Sequence, residues 1–237
     1  MAKTKKIKKI SKPLNIDHVV INGSYVPDNH QEMSEFETGD LLDNRVVIQE
    51  LLDGPLIKIQ FTMDGHISAR FNNISILDNT KYRLLKTWLT KHTSGLMMAL
   101  GNNRILYGHW LEYEYSTYYD KLPDVFIVSD IYDTVSNKYW NAYRIIEFCN
   151  SLQLTNNYII TEAPITFNII EKIANDKSYY SSESIRKGVV IKFEDDYWTI
   201  KKAAFIRPNY KEKIGTRKNI ININLRKRRL NWYHPGY

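Results

Sequence analysis

The sequence has little cysteine and no long apolar run. Cys149 is its single cysteine, so no disulfide can form within the chain, and this favours a reducing compartment. No stretch approaches the roughly 18 consecutive apolar residues that cross a membrane, and the lysine-rich start lacks the apolar segment of a signal peptide. We therefore expect no membrane association, and the cytoplasm is the predicted location.

Metal-binding patterns are scarce as well. The six histidines are scattered without the spacing of a zinc site, so no metal site is predicted. Hydrophobic residues make up 43% of the 237 residues, which is enough for one sizeable core or two small ones. One large domain with basic ends is the simplest interpretation, and the sequence contains no internal repeat.

The charge is unevenly distributed along the chain. Residues 1–13 contain six lysines and no acid, and residues 211–230 contain eight lysines or arginines against Glu212 alone. These ends carry +13 while the whole chain carries +7, so the other residues carry −6. The sequence predicts a basic N-terminal tail over 1–13, a domain over 14–210 and a basic extension over 211–237.

Such basic ends have two interpretations. They can be ordinary solvated termini, or they can hold a polyanion, for which nucleic acid is the obvious candidate. The candidate RNA-binding residues of the two ends are Lys5, Lys6, Lys8, Lys9, Arg226, Lys227, Arg228 and Arg229.

Apolar periodicity and turn residues predict many strands and few helices. Strands are predicted over 45–61 with a turn at Asp53-Gly54-Pro55, over 66–76, 104–115 and 125–132, and in a hairpin of 189–193 with 197–200. Helices are predicted over 81–100, with a break near Ser94-Gly95, and over 139–152. Because strands and helices do not alternate regularly, we expect an α+β domain built on antiparallel sheets.

Four stretches follow one another in an informative order. They are Glu50 to Gly54, Tyr107 to Leu111, Tyr118 to Pro123 with Asp130 to Asp133, and Lys187 to Lys192 with Phe205 to Pro208. Together they resemble the signature motifs of ATP-dependent RNA ligases, which belong to the covalent nucleotidyltransferase superfamily. The resemblance implies a ligase adenylation fold, in which antiparallel sheets enclose a nucleotide pocket, and it implies ATP and Mg²⁺ as cofactors. The residues themselves predict neither cofactor.

The chain departs from the family pattern at the reacting positions. In the family a lysine amine attacks the α-phosphate of ATP, and that lysine falls on Leu51. Two glutamates that support the nucleotide and the metal fall on His109 and Lys187, and a basic residue falls on Ala204. The resemblance therefore predicts no intact catalytic residue.

Other motif positions match the family and are the candidate nucleotide-binding or RNA-binding residues. They are Asp53, Gly54, Arg70, Asp130, Lys192, Lys202 and Arg207. Converging cations need an anion or buried acids to be stable. The alternative for Asp53 and Gly54 is a purely structural role in a turn.

Aromatic residues leave two interpretations open. Ser129 stands where the family often places an aromatic residue against adenine. The tyrosines Tyr113, Tyr115, Tyr118 and Tyr119 can stack on bases or pack within the sheet.

Three functions are compatible with these residues. The first is a catalytically inactive pseudoenzyme that binds RNA or a nucleotide. The second is an active RNA ligase or nucleotidyltransferase in which Lys187 replaces the missing nucleophile. The third is a scaffold subunit of a ribonucleoprotein or viral assembly, with a protein as the partner.

Overall fold

The computed structural model describes residues 8–9, 41–72, 74–77, 79, 82–207, 210 and 230–231. Most of the predicted basic ends fall outside these ranges. Lys5, Lys6, Arg226, Lys227, Arg228 and Arg229 lie outside the described residues, so their binding role stays a prediction.

Fifteen elements are defined in the described residues. The strands are β1 (Lys8–Lys9), β2 (Arg45–Glu50), β3 (Leu56–Phe61), β4 (Ile67–Phe71), β5 (Ile74–Ser75), β6 (Arg104–Trp110), β7 (Phe126–Asp133), β8 (Lys138–Trp140), β9 (Thr155–Asn156), β10 (Ile159–Pro164), β11 (Gly188–Glu194) and β12 (Trp198–Ile206). The helices are α1 (Arg83–Leu100), α2 (Ala142–Leu152) and α3 (Phe167–Ala174).

The strands form one continuous sheet of twelve strands. Its order is β10-β2-β11-β12-β8-β7-β6-β3-β4-β5, with β1 paired to β12 and β9 paired to β7. The pairing of β7 with β9 is parallel, and the other pairings between these strands are antiparallel. The predicted fold class, α+β with a large antiparallel sheet, is confirmed.

The sheet has two halves, joined where Trp198 of β12 pairs with Trp140 of β8. One core cluster lies between α3 and the half that contains β2 and β11, and a larger cluster packs α1 and α2 against the half that contains β3, β6 and β7. Because successive side chains of a strand point to opposite faces, the remaining side chains line the other face of each half. We call this the inner face. Two small apolar clusters there, around Leu51 and Leu56, share contacts with Tyr139.

The helices differ in detail from the sequence prediction. Helix α1 runs unbroken through Ser94 and Gly95, so the predicted break is wrong. Gly95 has a packing role instead, because a Cβ there would lie 3.2 Å from Cδ2 of Leu152 on α2. Among the described residues, no helix has the length and hydropathy needed to cross a bilayer.

Helix α2 begins three residues later than predicted. Residues Lys138–Trp140 form β8 and pair with β7 and β12, and Asn141 then caps the helix by accepting a hydrogen bond from the backbone N–H of Arg144. Strands β9 and β10 and helix α3 were not predicted. Helix α3 contains the β-branched residues Ile169, Ile170 and Ile173. Because β-branched residues favour strands, the local sequence does not indicate a helix.

Candidate functional site

The motif residues converge on the inner face of the sheet. Asp53 and Gly54 follow the end of β2, His109 and Asp130 lie on β6 and β7, and the lysines lie on or beside β11 and β12. Because β2 pairs with β11 and β11 with β12, residues far apart in sequence become neighbours. We call this group of inner-face residues the central pocket.

The floor of the central pocket is apolar. Leu51, Val190 and Ala204 form a buried cluster, against which Tyr139 and Ile206 pack. Val190 lies directly opposite Ala204 across the pairing of β11 with β12. Leu51 and Ala204 therefore lie in the same apolar cluster, although the resemblance implies a lysine at the first position and a basic residue at the second.

One buried carboxylate in the pocket contacts two ammonium groups. Asp130 is fully buried, with its Oδ1 3.1 Å from Lys192 Nζ and its Oδ2 2.5 Å from Lys202 Nζ. Lys192 also donates to the carbonyl oxygen of Ser129 at 3.2 Å. The predicted residues Asp130, Lys192 and Lys202 are thus brought together as an ion-paired triad.

The pKa values of this triad follow from burial and mutual charge. Burial favours the neutral form of Asp130, but Lys192 and Lys202 outweigh it and hold the pKa of this carboxyl below its usual value. Burial lowers the pKa of Lys202 to about 8, since the charge of Lys192 adds to this effect and the attraction of Asp130 only partly opposes it. Lys202 therefore loses its proton more readily than an ordinary lysine.

Lys187 pairs with Asp53 on the other side of the pocket. The Lys187 side chain is buried, and its Nζ lies 3.5 Å from Oδ1 of Asp53 and 5.4 Å from the ring centre of Tyr210. Asp53 has a structural task too, because its Oδ2 accepts hydrogen bonds from the backbone N–H groups of Ser116 and Thr117. Oδ2 of Asp53 therefore has a structural role, and Oδ1 lies against the Lys187 ammonium.

His109 is neutral in this environment. It is 2% exposed, and burial, together with the charge of Lys187, lowers its pKa to about 4. Its Nδ1 lies 3.1 Å from the carbonyl oxygen of Gly54, which can only accept, so Nδ1 carries the proton of the neutral ring. His109 contributes no charge to the pocket near pH 7.

The donor set does not fit a divalent cation. Magnesium is bound through oxygen ligands, chiefly carboxylates, phosphates and water. The pocket carboxylates Asp53 and Asp130 both already contact ammonium groups. In the part of the chain that the structure describes, no group of three or more His, Cys, Asp or Glu side chains could hold a metal ion.

Arg70 and Arg207 lie at the margins of the pocket. Arg70 is exposed on β4, and its Nε donates to Oγ of Ser68. In the strand register, Arg70 lies opposite Lys58, and Lys58 lies opposite Tyr107. Tyr107 in turn lies opposite Asp130, so this row of residues runs from Arg70 to the buried triad. Arg207 is half-buried, and its backbone N–H donates to the carbonyl oxygen of Lys187.

The motif glycines permit close approach of neighbouring segments. A Cβ on Gly188 would lie 2.1 Å from the carbonyl oxygen of Phe205, and one on Gly54 would lie 2.5 Å from Cδ2 of Leu111. Both distances are too short for any side chain. Gly54 therefore has a packing role in addition to its place in the turn.

Some residues of the site were missed by sequence reasoning. Tyr139 lies between the two halves of the sheet, with its ring centre 4.9 Å from that of Tyr132 and 6.3 Å from that of Tyr107. Burial raises the pKa of its hydroxyl well above the usual value. Only the pairing of β8 with β7 and β12 brings it to the pocket, and β8 was predicted to be part of a helix.

Glu50 was not singled out either. Its buried carboxylate accepts hydrogen bonds from Oγ of Ser178 and from the backbone N–H of Tyr179, and lies 3.6 Å from Nε of Arg186. These contacts fix the segment that leads to Lys187. The available signal was the position of Glu50 directly before Leu51 and Leu52, because a glutamate beside two buried apolar residues needs a buried partner.

Of the four candidate tyrosines, Tyr119 has a packing role. Tyr119 is fully buried in an apolar cluster, and its hydroxyl oxygen accepts a hydrogen bond from the backbone N–H of Asp53. Tyr113, Tyr115 and Tyr118 are half-buried, so base stacking by these residues stays a prediction. Ser129 is buried and donates to the carbonyl oxygen of Tyr107.

A short described segment of each basic end contacts the domain near the site. Strand β1 pairs with β12, with Lys8 opposite Ala204 and Lys9 opposite Ala203. At the other end, Leu230 forms a bridge with Tyr113, and buried Asn231 donates to the carbonyl oxygen of Leu111. Residues 8–9 and 230–231, the described residues of the two basic ends, thus contact the folded domain.

Comparison with known families assigns the chain. The sequence model of the family described as RNA ligase matches residues 44–209. This chain belongs to the RNA ligase family. The match includes every pocket residue described above except Tyr210, and it confirms the resemblance inferred from the motifs. The comparison with curated proteins found no match.

Solved structures show the same fold. A mutant of the Naegleria gruberi RNA ligase with ATP and Mn has a TM-score of 0.58 and 16% identity, over 71% of this chain and 51% of that chain. The same ligase with PPi has a TM-score of 0.56 and 18% identity, over 70% and 50% of the two chains. Our RNA ligase family member therefore spans about half the length of these proteins, and at such identity the likeness shows the fold alone.

Proposed function

We propose that this chain is a pseudoenzyme of the RNA ligase family, which binds RNA or a nucleotide and does not adenylylate itself. The observation that carries the proposal is the apolar floor of the central pocket. Leu51, at the position that the resemblance assigns to the nucleophile, packs against Val190 and Ala204. A hydrocarbon side chain cannot attack a phosphate.

Charge in the pocket also supports binding without catalysis. Lys187 stands where the resemblance implies a glutamate that supports the metal, and it is paired with Asp53. An ammonium at this place attracts phosphate and repels a metal ion. At an effective dielectric constant of ~20, a unit-charge pair about 4 Å apart is worth roughly 4 kcal/mol in either direction.

RNA is the proposed macromolecular partner. The family and the net charge of +13 on the two ends support this choice. The pairing of β1 with β12 and the hydrogen bonds of Asn231 to Leu111 and Tyr119 show that the described residues of both ends contact the domain. A role as a protein-binding scaffold has no comparable support in the described residues.

Incubation with ATP and Mg²⁺, followed by intact-mass measurement, tests the proposal. We expect no mass increase of one AMP, because no amine lies at Leu51. An acid-labile AMP adduct would contradict the proposal. If that adduct were lost in Lys187→Ala, Lys187 would be the nucleophile and the chain an active nucleotidyltransferase.

A second lysine must be separated from Lys187 in this experiment. Burial lowers the pKa of Lys202 to about 8, so its amine is more nucleophilic near neutral pH than that of an ordinary lysine. It is held 2.5 Å from Asp130, which limits its reach. The Lys202→Met variant, measured beside Lys187→Ala, assigns any adduct to one of the two lysines.

A further inference from the structure

Two tyrosines form an exposed stacked pair near the end of β2. The ring centres of Tyr158 and Tyr179 lie 4.0 Å apart, and their planes are inclined by 4°. Tyr158 is 43% exposed and Tyr179 is 51% exposed, so both side chains present surface to solvent. We call this pair the tyrosine platform.

Buried groups hold the backbone of the platform. The backbone N–H of Tyr179 donates to the buried carboxylate of Glu50 at 2.9 Å. The backbone N–H of Tyr158 donates to the hydroxyl of buried Tyr180 at 2.9 Å. The ring of Tyr180 also lies edge-on to that of Tyr179, with their centres 5.2 Å apart. The platform is therefore preorganised, which lowers the cost of ordering it on binding.

The platform lies outside the central pocket. Side chains alternate along β2, so Glu50 shares a face with Ile48, which packs in the core cluster at α3. Leu51, the residue after Glu50, belongs to the apolar floor on the inner face. A ligand on the platform therefore needs no access to the buried lysines of the pocket.

The charges exposed beside the platform nearly cancel. Two lysines and two acids are exposed in the segments around it, and they are Lys121, Lys177, Asp176 and Glu183. Lys121 is brought there by its backbone N–H, which donates to the carbonyl oxygen of Tyr180 at 3.1 Å. The platform thus offers ring surface without net charge, which suits a planar group such as a nucleobase.

The described end of the basic extension contacts the same group of aromatic residues. Asn231 follows the basic run 226–229 after one intervening residue, and its Oδ1 accepts a hydrogen bond from the backbone N–H of Tyr119 at 3.0 Å. The ring of Tyr119 lies edge-on to that of Tyr180, with their centres 6.4 Å apart, and Tyr180 contacts Tyr179. A continuous series of contacts therefore leads from Asn231 to the platform.

We infer that the tyrosine platform is a base-stacking site for unpaired nucleotides of RNA. The inference rests on the proposed function, since it assigns a binding site to the proposed partner. Every base has a planar π face, and only a base outside a duplex leaves that face free for an aromatic side chain. The basic ends attract the phosphates, and the platform adds affinity for unpaired strands.

Binding of an unstructured single-stranded RNA to the full chain, measured by fluorescence anisotropy over a range of salt concentrations, tests the inference. Tyr179→Leu removes the ring and keeps an apolar side chain. It should weaken binding by roughly 5- to 150-fold, the range of one lost base stack. Because stacking releases no counterions, the slope of log K against log salt should stay that of the parent. Tyr179→Phe keeps the ring and should bind like the parent.

Three controls isolate stacking from other effects. Tyr197→Leu makes the same change at a tyrosine that is 63% exposed between β11 and β12, and it should leave the affinity unchanged. An abasic oligonucleotide of the same length carries phosphates without bases, so the parent and Tyr179→Leu should bind it equally. A blunt RNA duplex should also bind both proteins equally. A loss of affinity that extends to the abasic strand would overturn the inference, because it would not come from stacking.

The outcomes separate this inference from the proposed function. Equal binding of the single strand by the parent, Tyr158→Leu and Tyr179→Leu would overturn the inference, leave RNA binding itself intact, and favour a protein as the partner of the platform. Absence of RNA binding in the parent would contradict the proposed RNA partner as well as the platform.

A photochemical crosslink assigns the site directly. RNA that carries iodouridine is irradiated in the presence of the parent protein, and the linked residue is located by mass spectrometry of the peptides. We expect linkage to Tyr158 or Tyr179, and linkage confined to other residues would overturn the assignment. Thermal melting establishes that each variant is folded. If Tyr179→Leu does not fold, Tyr158→Leu and the crosslink in the parent still decide the matter.

Discussion

Leu51 and Ala204 lie in one apolar cluster, so the cost of placing a charged residue at one position depends on the residue at the other. Both contact Val190 in the apolar floor, so a lysine at either position would place an ammonium against hydrocarbon. Burying an unpaired charge in this way is strongly unfavourable. Under the proposed function, activity would therefore require several simultaneous changes, including Lys187→Glu and His109→Glu.

His109 makes the stability of the protein depend on pH at the residue scale. Its pKa is about 4 when folded, against an ordinary value of 6.5, so between these values the unfolded chain binds the extra proton. This contribution to stability is complete above pH 6.5 and falls as the pH falls toward 4. Lys187 and Lys202 oppose its protonation and Asp130 favours it.

Urea unfolding at pH 7 and pH 4.5 measures this contribution. The parent should lose roughly 2–3 kcal/mol more than His109→Gln on acidification, as a pKa shift of this size implies. His66→Gln, at an exposed histidine, should lose as much as the parent. Equal losses in the parent and His109→Gln would show that His109 is not buried as a neutral ring.

At the scale of elements, Gly188 controls the pairing of β11 with β12. A Cβ at this position would meet the carbonyl oxygen of Phe205 at 2.1 Å, and that oxygen belongs to the backbone of β12. We expect Gly188→Ala to lower the free energy of unfolding by roughly 1–3 kcal/mol, the range of overpacking. Denaturant unfolding measures it.

Gly95→Ala is the matched control for that substitution. Its added methyl group would meet only Cδ2 of Leu152, the flexible end of a side chain, at 3.2 Å. Alanine is the better helix former by roughly 0.5–1 kcal/mol, so Gly95→Ala should be neutral or stabilising. If both substitutions cost the same, close approach at Gly188 is not what the glycine provides.

Local sequence patterns predicted elements better than they predicted neighbours. The turn at Asp53-Gly54-Pro55 correctly separates β2 from β3, but these strands pair with different partners in different halves of the sheet. Strand pairing is decided by long-range burial, which a window of sequence does not contain. For the same reason the motifs predicted the charges of the pocket but not the pairing of Lys187 with Asp53 or the place of Tyr139.

At the scale of the whole molecule, the net positive charge lies in the two ends, since residues 14–40 carry −6 and residues 41–210 carry no net charge. The ends carry +13 and the other residues carry −6. Contacts between RNA phosphates and these ends should therefore account for most of the counterions that the RNA releases on binding. Each neutralised phosphate of a single strand contributes a slope of about −0.7 in log K against log salt. Neutralising Arg226, Lys227, Arg228 and Arg229 should flatten that slope by about two to three units if all four contact phosphates.

A salt titration of RNA binding measures this difference. The control variant neutralises four exposed lysines of the body, Lys91, Lys121, Lys172 and Lys177, and so makes the same change of net charge. It should keep the slope of the parent. An unchanged slope in the variant at Arg226 to Arg229 would mean that this segment is not part of the electrostatic contact.

The most direct test of binding without catalysis combines both properties in one reaction. A nicked RNA duplex with a 5′-phosphate at the nick is incubated with the parent protein, ATP and Mg²⁺, and the products are separated on native and denaturing gels. We predict a shifted RNA on the native gel and no sealed or adenylylated RNA on the denaturing gel, because Leu51 supplies no amine. Sealed RNA, or RNA that is not bound at all, would contradict the account.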